Sequence, residues 1–156
     1  MITFNPLQKN INIQKLIKET FDADLPLSGD WGYSQERASI IETPLSQGMT
    51  LPQLEHMVTS IRAHLEMNIT QEEENRYAAI NANELSREES QNNGLIYDKV
   101  TYEVTAIKED LFKQFILEYK EGYEKEGFDL NEHFKRRKEA TLTREVVHYF
   151  EVSSIN

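Results

Sequence analysis

Alternation between apolar and polar residues marks the clearest strand of this chain, between Ile96 and Ala106. Residues of one parity are mostly apolar and those of the other are mostly polar, which predicts a sheet with one buried face. A turn signal, Gln-Asn-Asn-Gly at 91–94, precedes this strand. The composition of residues 71–89 fits either a helix or an exposed strand, and because a strand needs a partner, we predict a hairpin. A second alternating segment, Glu145–Val152, predicts the last strand.

Apolar residues at helical spacing predict three to four helices. The most regular stripe runs from Leu51 to about Asn68, with Thr50 as its N-cap and Pro52 in its first turn. The other stripes are shorter, and two of them follow residues that suit an N-cap. They comprise Ile13, Leu16, Ile17 and Phe21, after Asn10 or Asn12; Leu111, Phe112, Phe115, Ile116 and Tyr119, ending near Gly122; and Phe128, Leu130 and Phe134, with Asp129 as cap.

The order of these elements bears on the fold class. A further strand, Ala38–Thr43, ends at Pro44, and strands and helices are mixed without regular β-α-β alternation. This order predicts an α+β fold with a mostly antiparallel sheet of four to five strands and three to four helices packed on one face. No linker rich in Pro, Gly or Ser divides the 156 residues, so we expect one domain over residues 1–156.

The segment Leu25–Tyr33 holds the only tryptophan and two of the six glycines. Gly29 and Gly32 flank Asp30-Trp31 and predict a shaped turn, because glycine adopts backbone conformations that other residues resist. If Trp31 is exposed, the turn is a recognition tip, since Trp and Tyr dominate interface hot spots. If Trp31 is buried, the turn serves the core. The candidate binding residues here are Asp30, Trp31, Tyr33, Glu36 and Arg37.

Two further candidates come from the strands. His148 shares the parity of apolar neighbours, so we expect partial burial, which would lower its pKa and suit either a neutral general base or a structural core histidine. Tyr102 lies on the apolar face of its strand. His56 and His64 stand about 80° apart around one helix, which is poor geometry for a shared metal. These two and His133 are predicted to be surface histidines.

The composition disfavours several classes of function. The formal net charge is −10, from 27 acidic and 17 basic residues. This charge disfavours binding to nucleic acid and to anionic membranes, and it favours binding to a basic protein partner. The absence of cysteine excludes disulfides and thiolate metal sites. We see no signal peptide in residues 1–12 and no apolar run of about 18 residues, so we expect a cytoplasmic protein. Acidic clusters and the basic block Lys135–Lys138 are predicted to be solvated faces.

These observations favour a small acidic protein-binding module without catalysis or cofactor, of a bacterial immunity, inhibitor or adaptor type. The alternative is a small-molecule-binding or enzymatic domain with a pocket between sheet and helices. Its pocket would be formed by Trp31, Tyr33, Arg37, Tyr102 and His148. A third hypothesis is a homo-oligomer that assembles through edge strands near Tyr77–Glu89 and Arg144–Val152. An exposed Trp31 would favour the first hypothesis, and a half-buried Trp31 facing a pocket would favour the second.

Overall fold

The computed structural model describes residues 4–8, 12–45, 48–123 and 125–155. The predicted α+β class is confirmed: four helices accompany a five-stranded sheet in the order β1-β2-β5-β4-β3. All neighbouring strands are antiparallel except β2 and β5. The elements are α1 (Ile13–Phe21), β1 (Leu27–Gly29), β2 (Ser39–Ile41), α2 (Leu51–His64), β3 (Tyr77–Asn92), β4 (Leu95–Lys108), α3 (Glu109–Gly122), α4 (Leu130–Glu139) and β5 (Leu142–Glu151).

The predicted hairpin is present as β3 and β4. Asn93 and Gly94 connect the two strands, and both have positive φ, 53° and 80°, as the tight hairpin turn requires. Residues 77–89 form a strand despite their helix propensity, because cross-strand pairing with β4 runs from Tyr77 to Asn92. Register shifts on β3, between Ala78 and Asn81 and again between Glu84 and Ser86, interrupt this pairing.

Helix α2 begins at Leu51 with Thr50 as its N-cap, as predicted, and Thr50 forms a full capping box with Gln53. Its continuation, Leu65–Ile69, is a π-helical turn, so the predicted end near Asn68 is right but the wider last turn was not foreseen. Such turns place side chains where an α-helix would not. Asn12 caps α1 and Asp129 caps α4; Asn10, the alternative cap, lies outside the described residues.

The main core lies between α1, α2 and one face of the sheet. It contains Ile13 and Ile17 of α1, Leu54 and Val58 of α2, and the apolar faces of β4 and β5, among them Val100, Val104 and Phe150. The predicted alternation of β4 is confirmed from Asp98 to Ala106, where buried and half-buried residues alternate. No helix among the described ranges is long and apolar enough to cross a bilayer.

The segment Leu25–Tyr33 corrects the sequence analysis. The sequence analysis placed no strand there, yet Leu27–Gly29 forms β1, paired antiparallel with β2. The predicted strand 38–43 is shorter, Ser39–Ile41. A three-residue strand that ends in glycine is too short to show an alternation of apolar and polar residues. It becomes a strand because it pairs with β2. The shaped turn that we predicted is the loop between these strands, closed by hydrogen bonds from Asp30 N to Ala38 O and from Gly32 N to Arg37 O.

Candidate functional site

Trp31 is a core residue, 1% exposed. The interpretation of this turn as an exposed recognition tip is therefore wrong at its central residue. The buried Arg62 guanidinium fixes the turn from the helix side, because its Nη1 donates to Trp31 O at 3.1 Å. On the sheet side, Tyr149 N donates to Gly32 O at 2.8 Å. The turn therefore joins α2 to β5.

Asp30 and Arg37 form a bidentate ion pair across this loop. Arg37 Nε lies 2.8 Å from Asp30 Oδ2, and Nη2 lies 3.1 Å from Oδ1. Asp30 is only 5% exposed, and its Oδ1 also accepts from Trp31 N at 2.7 Å. The guanidinium lies 5.1 Å from the Tyr33 ring. Glu36 is exposed on the same loop. Three predicted residues are thus brought together: Asp30 and Arg37 bind each other, and the Tyr33 ring lies beside the Arg37 guanidinium.

Tyr33 belongs to a second network, which reaches the π-helical turn. Its hydroxyl donates to Glu66 Oε2 at 2.5 Å and accepts from Leu7 N at 2.8 Å. Arg144 Nη1 reaches the other Glu66 oxygen at 3.0 Å, and the Arg62 guanidinium lies 4.6 Å from the Tyr33 ring. Burial and the neighbouring carboxylate raise the pKa of Tyr33 above its usual range. The hydroxyl therefore stays protonated and acts as a brace.

His148 is fully buried, and its ring nitrogens contact two hydroxyl groups. Ser39 Oγ lies 2.8 Å from Nε2 and Thr59 Oγ1 lies 3.0 Å from Nδ1, while the ring stacks on Phe150 at 4.0 Å. Burial, followed by the nearby Arg62 charge, holds the pKa of His148 well below its usual value. Ser39 is also fully buried and donates to Asp30 O, so this pair is held in the core and not presented to a substrate.

Tyr102 completes the set of predicted site residues and is also fully buried. Its pKa is raised mainly by burial, so its hydroxyl remains neutral. With Trp31, Tyr102 and His148 all in the core, the predicted pocket between sheet and helices is not formed by these residues. All three side chains belong to the core of the protein.

Stability should depend on pH through His148. Below pH 6.5 the unfolded chain binds a proton at this histidine and the folded chain does not, so stability should fall as pH falls. The expected loss relative to His148→Gln is up to about 1.4 kcal/mol per pH unit. Urea unfolding of both proteins from pH 7 to 5 measures it. Glu55 contributes to the pH dependence of stability with the opposite sign in both proteins, so the difference between wild type and His148→Gln is what tests the prediction. Parallel profiles of stability against pH would contradict a buried neutral imidazole.

His133 is a second correction, because it is 1% exposed and not a surface residue. It lies on α4 and faces α3, with ring contacts to Phe115, Tyr119 and Phe128 at 5.8–5.9 Å. Its Nδ1 is 3.2 Å from Glu118 Oε1, and Arg136 of the basic block pairs with the same carboxylate. The short polar helix gave no signal of this burial, which depends on α3 packing beside it.

The polar groups that organise α2 were missed, although a signal existed. Glu55, Thr59, Arg62 and Glu66 follow a 4-3-4 spacing and therefore share one helix face. All four are at most 2% exposed. Their spacing is the only signal in the sequence, and the exposed polar face of an amphipathic helix has the same spacing. Their burial, which makes hydrogen-bond partners necessary, is shown by the structure and not by the sequence.

Two surface features remain as candidate sites. One is an open cleft of about 870 Å³ between α2 and β3. It is lined by Gly48, Met49, Pro52, Gln53, His56, Met57, Ser60, Ala82, Asn83 and Glu84. His56 crosses to β3, where its Nε2 lies 2.7 Å from Ala82 O.

The other feature is on the helix pair α3–α4. Of the nine large hydrophobic side chains that are at least 36% exposed in the described part of the chain, five lie within residues 111–134. They are Leu111, Leu117, Tyr123, Leu130 and Phe134. We use the name α3–α4 surface for Leu117, Tyr123, Phe128 and Leu130 with the grooves between them.

Three grooves on this helix pair share lining residues. An apolar groove of about 650 Å³ includes Phe112, Ile116 and Leu117. Leu117 also lines a neighbouring groove of about 380 Å³ that reaches Phe128, and Phe128 lines a third together with Tyr123 and Leu130. Exposed apolar patches of this kind mark interaction sites in soluble proteins.

Comparison with protein-family models, with curated proteins and with solved structures found no match.

Proposed function

We propose that this chain is an acidic protein-binding module without catalytic activity. In this proposal the α3–α4 surface receives apolar side chains of a partner protein. The observation that carries the proposal is the concentration of exposed Leu, Tyr and Phe side chains on one helix pair. Burying them against a partner would remove apolar area from water, the main favourable term in protein association.

The placement of reactive groups supports a non-catalytic role. His148 and Ser39 form the one hydrogen bond between a Ser hydroxyl and a His ring in the described ranges, and both are fully buried in the core. The carboxylates Asp30 and Glu66 are paired with arginines. These groups hold the loop 30–37, α2 and β5 together, so the proposal assigns them to stability and assigns function to the surface.

Charge supports a basic partner. The net charge of −10 would attract a positively charged protein and accelerate the encounter, and salt would weaken this attraction. The same charge opposes association between two copies of the chain. We therefore propose a heterologous partner in the cytoplasm, a reducing compartment that suits a chain without cysteine.

The test measures how two substitutions on the α3–α4 surface change the affinity for a partner protein. We expect the double variant Leu117→Ser/Tyr123→Ser to bind its partner at least about tenfold more weakly, since interface anchors carry most of the binding energy. Both side chains are 56% exposed, so stability should change by less than about 1 kcal/mol. Tagged wild-type and variant proteins are used to capture partners from the source organism, and the affinity for each captured protein is then measured in purified form.

Leu85→Ser is the matched control, because Leu85 is 54% exposed but lies on β3. It should leave both the affinity and its salt dependence unchanged. A partner that binds wild type and the double variant equally, or that loses affinity only with Leu85→Ser, would overturn the assignment of this surface.

The alternative function is binding of a small molecule in the α2–β3 cleft, which the cleft volume of about 870 Å³ favours. Its lining combines the apolar Met49 and Met57 with the polar His56 and Asn83. A ligand there should raise the unfolding temperature of wild type and have a smaller effect on Met57→Glu. Met57 is 36% exposed, so the substitution should leave the fold intact.

A further inference from the structure

Three carboxyl groups surround one guanidinium beside the α2–β3 cleft, remote in sequence from the α3–α4 surface. Arg87 of β3 donates from Nη1 to Glu55 Oε1 of α2 at 3.1 Å and from Nη2 to Glu84 Oε1 at 2.5 Å. Its Nη1 also lies 3.9 Å from Asp98 Oδ2 of β4. One arginine thus links the edge strand of the sheet to the helix that covers it.

The Glu55 side chain is fully buried. Its Oε1 accepts from Arg87, but its Oε2 has no hydrogen-bond donor among the described residues. Glu55 and Asp98 approach the same guanidinium nitrogen, Arg87 Nη1, at 3.1 Å and 3.9 Å. Asp98 is only 7% exposed, so two buried carboxyl groups lie close together, and two carboxylates cannot satisfy each other. An acidic proton on one of them can, because a protonated carboxyl donates to its neighbour. The geometry therefore calls for one proton between Glu55 and Asp98.

We propose that Glu55 and Asp98 share a proton and, with Arg87, form a proton-dependent latch that fastens β3 to α2 at one end of the cleft. With the proton in place, two negative charges surround the guanidinium. Without it there are three, two of them buried beside the same guanidinium nitrogen. Loss of the proton therefore weakens the attachment of β3, although Arg87 remains.

The groups around Glu55 determine the pH at which the latch loses its proton. Burial, followed by the Asp98 carboxyl, raises the pKa of Glu55 to about 8. Hydrogen bonds from Arg87 lower the pKa of Glu84, so that carboxylate is ionised throughout. The remaining titratable neighbours are His56 on α2, which faces Glu84, and Tyr102 on β4, which faces Glu55. Burial keeps the Tyr102 hydroxyl neutral.

The direction of the pH effect follows from linkage. When β3 separates from α2, Glu55 meets water and its pKa returns toward the ordinary value. Between that value and about 8 the latched state holds a proton that the open state has lost. Rising pH therefore favours opening by up to roughly tenfold per pH unit in this window, and the effect levels off above it.

Hydrogen–deuterium exchange of the β3 amides tests the latch, expressed as protection factors so that intrinsic exchange is removed. From pH 6 to pH 8, wild-type amides in residues 83–92 should lose at least about tenfold in protection relative to those of β5. Glu55→Gln, which is always neutral, should make this protection independent of pH. Glu88→Gln, at an exposed position of β3 outside the latch, is the matched control and should retain the wild-type dependence.

Infrared spectroscopy of the wild type gives a readout that needs no variant. A protonated carboxyl band should be present at pH 7 and should disappear as the pH rises through about 8. Asp98→Asn serves as a second variant should Glu55→Gln fail to fold, and it should likewise reduce the pH dependence of β3. The latch is overturned by the absence of the band, by pH-independent protection in wild type, or by wild-type dependence in the neutral variants.

Discussion

Replacing Gly32 with alanine should destabilise the protein by more than about 3 kcal/mol. Gly32 has a φ of +82°, and an added Cβ would lie 2.0 Å from His148 Cδ2 and 2.8 Å from Tyr149 O. Neither neighbour is free to move. The imidazole is held by Ser39 and Thr59, and the carbonyl is part of the β5 backbone. Backbone strain and overpacking therefore add together.

Gly94→Ala separates these two contributions. Gly94 has nearly the same φ, +80°, but an added Cβ would have nothing within 4 Å. It should lose only the backbone contribution, about 1 kcal/mol. Urea unfolding of both variants measures the difference. Equal losses in the two proteins would show that the close packing of Gly32 on His148 is absent in solution.

Trp31→Ala should cost about 3–5 kcal/mol, the range for removing a large buried aromatic side chain. Trp31 is 1% exposed and heads the fully buried side chains by volume. The control is Phe134→Ala, where the ring is 48% exposed and the loss should stay within about 0.5–1 kcal/mol. Chemical unfolding compares the two.

The fluorescence of wild type checks the same burial without a substitution. The chain has one tryptophan, so the signal comes from Trp31 alone. We expect emission shifted to the blue and poor quenching by acrylamide. A red-shifted spectrum that acrylamide quenches readily would place Trp31 in water and restore the recognition tip that the sequence left open.

Periodic elements were predictable because their signal is local. The β4 alternation, the Asn93-Gly94 turn and the capped stripe of α2 each depend on neighbouring residues, and the structure confirms all three. Strand β1 was not predictable, because its three residues become a strand only through pairing with β2. The burial of His133 was missed for the same reason, since the residues that cover it lie on α3 and in the loop that follows.

The candidate site was likewise predictable only where its residues are close together in the sequence. Sequence brought Asp30, Tyr33 and Arg37 together correctly, because they lie within one short loop. It could not show that Tyr33 also joins a network with groups far along the chain, in which its hydroxyl binds Glu66 and Glu66 pairs with Arg144. Nor could it show the α3–α4 surface, because an amphipathic helix carries the same apolar pattern whether that face is covered or exposed.

The most direct test of the α3–α4 surface is photo-cross-linking in the source organism. A photoreactive phenylalanine analogue is placed at Leu117 in one protein and at Leu85, a β3 position of similar exposure, in another. We expect Leu117 to cross-link one heterologous protein with basic segments, and Leu85 to give no such product. Cross-linking of that protein from Leu85 but not from Leu117, or no product from Leu117 while both proteins are folded and abundant, would contradict the proposed binding surface.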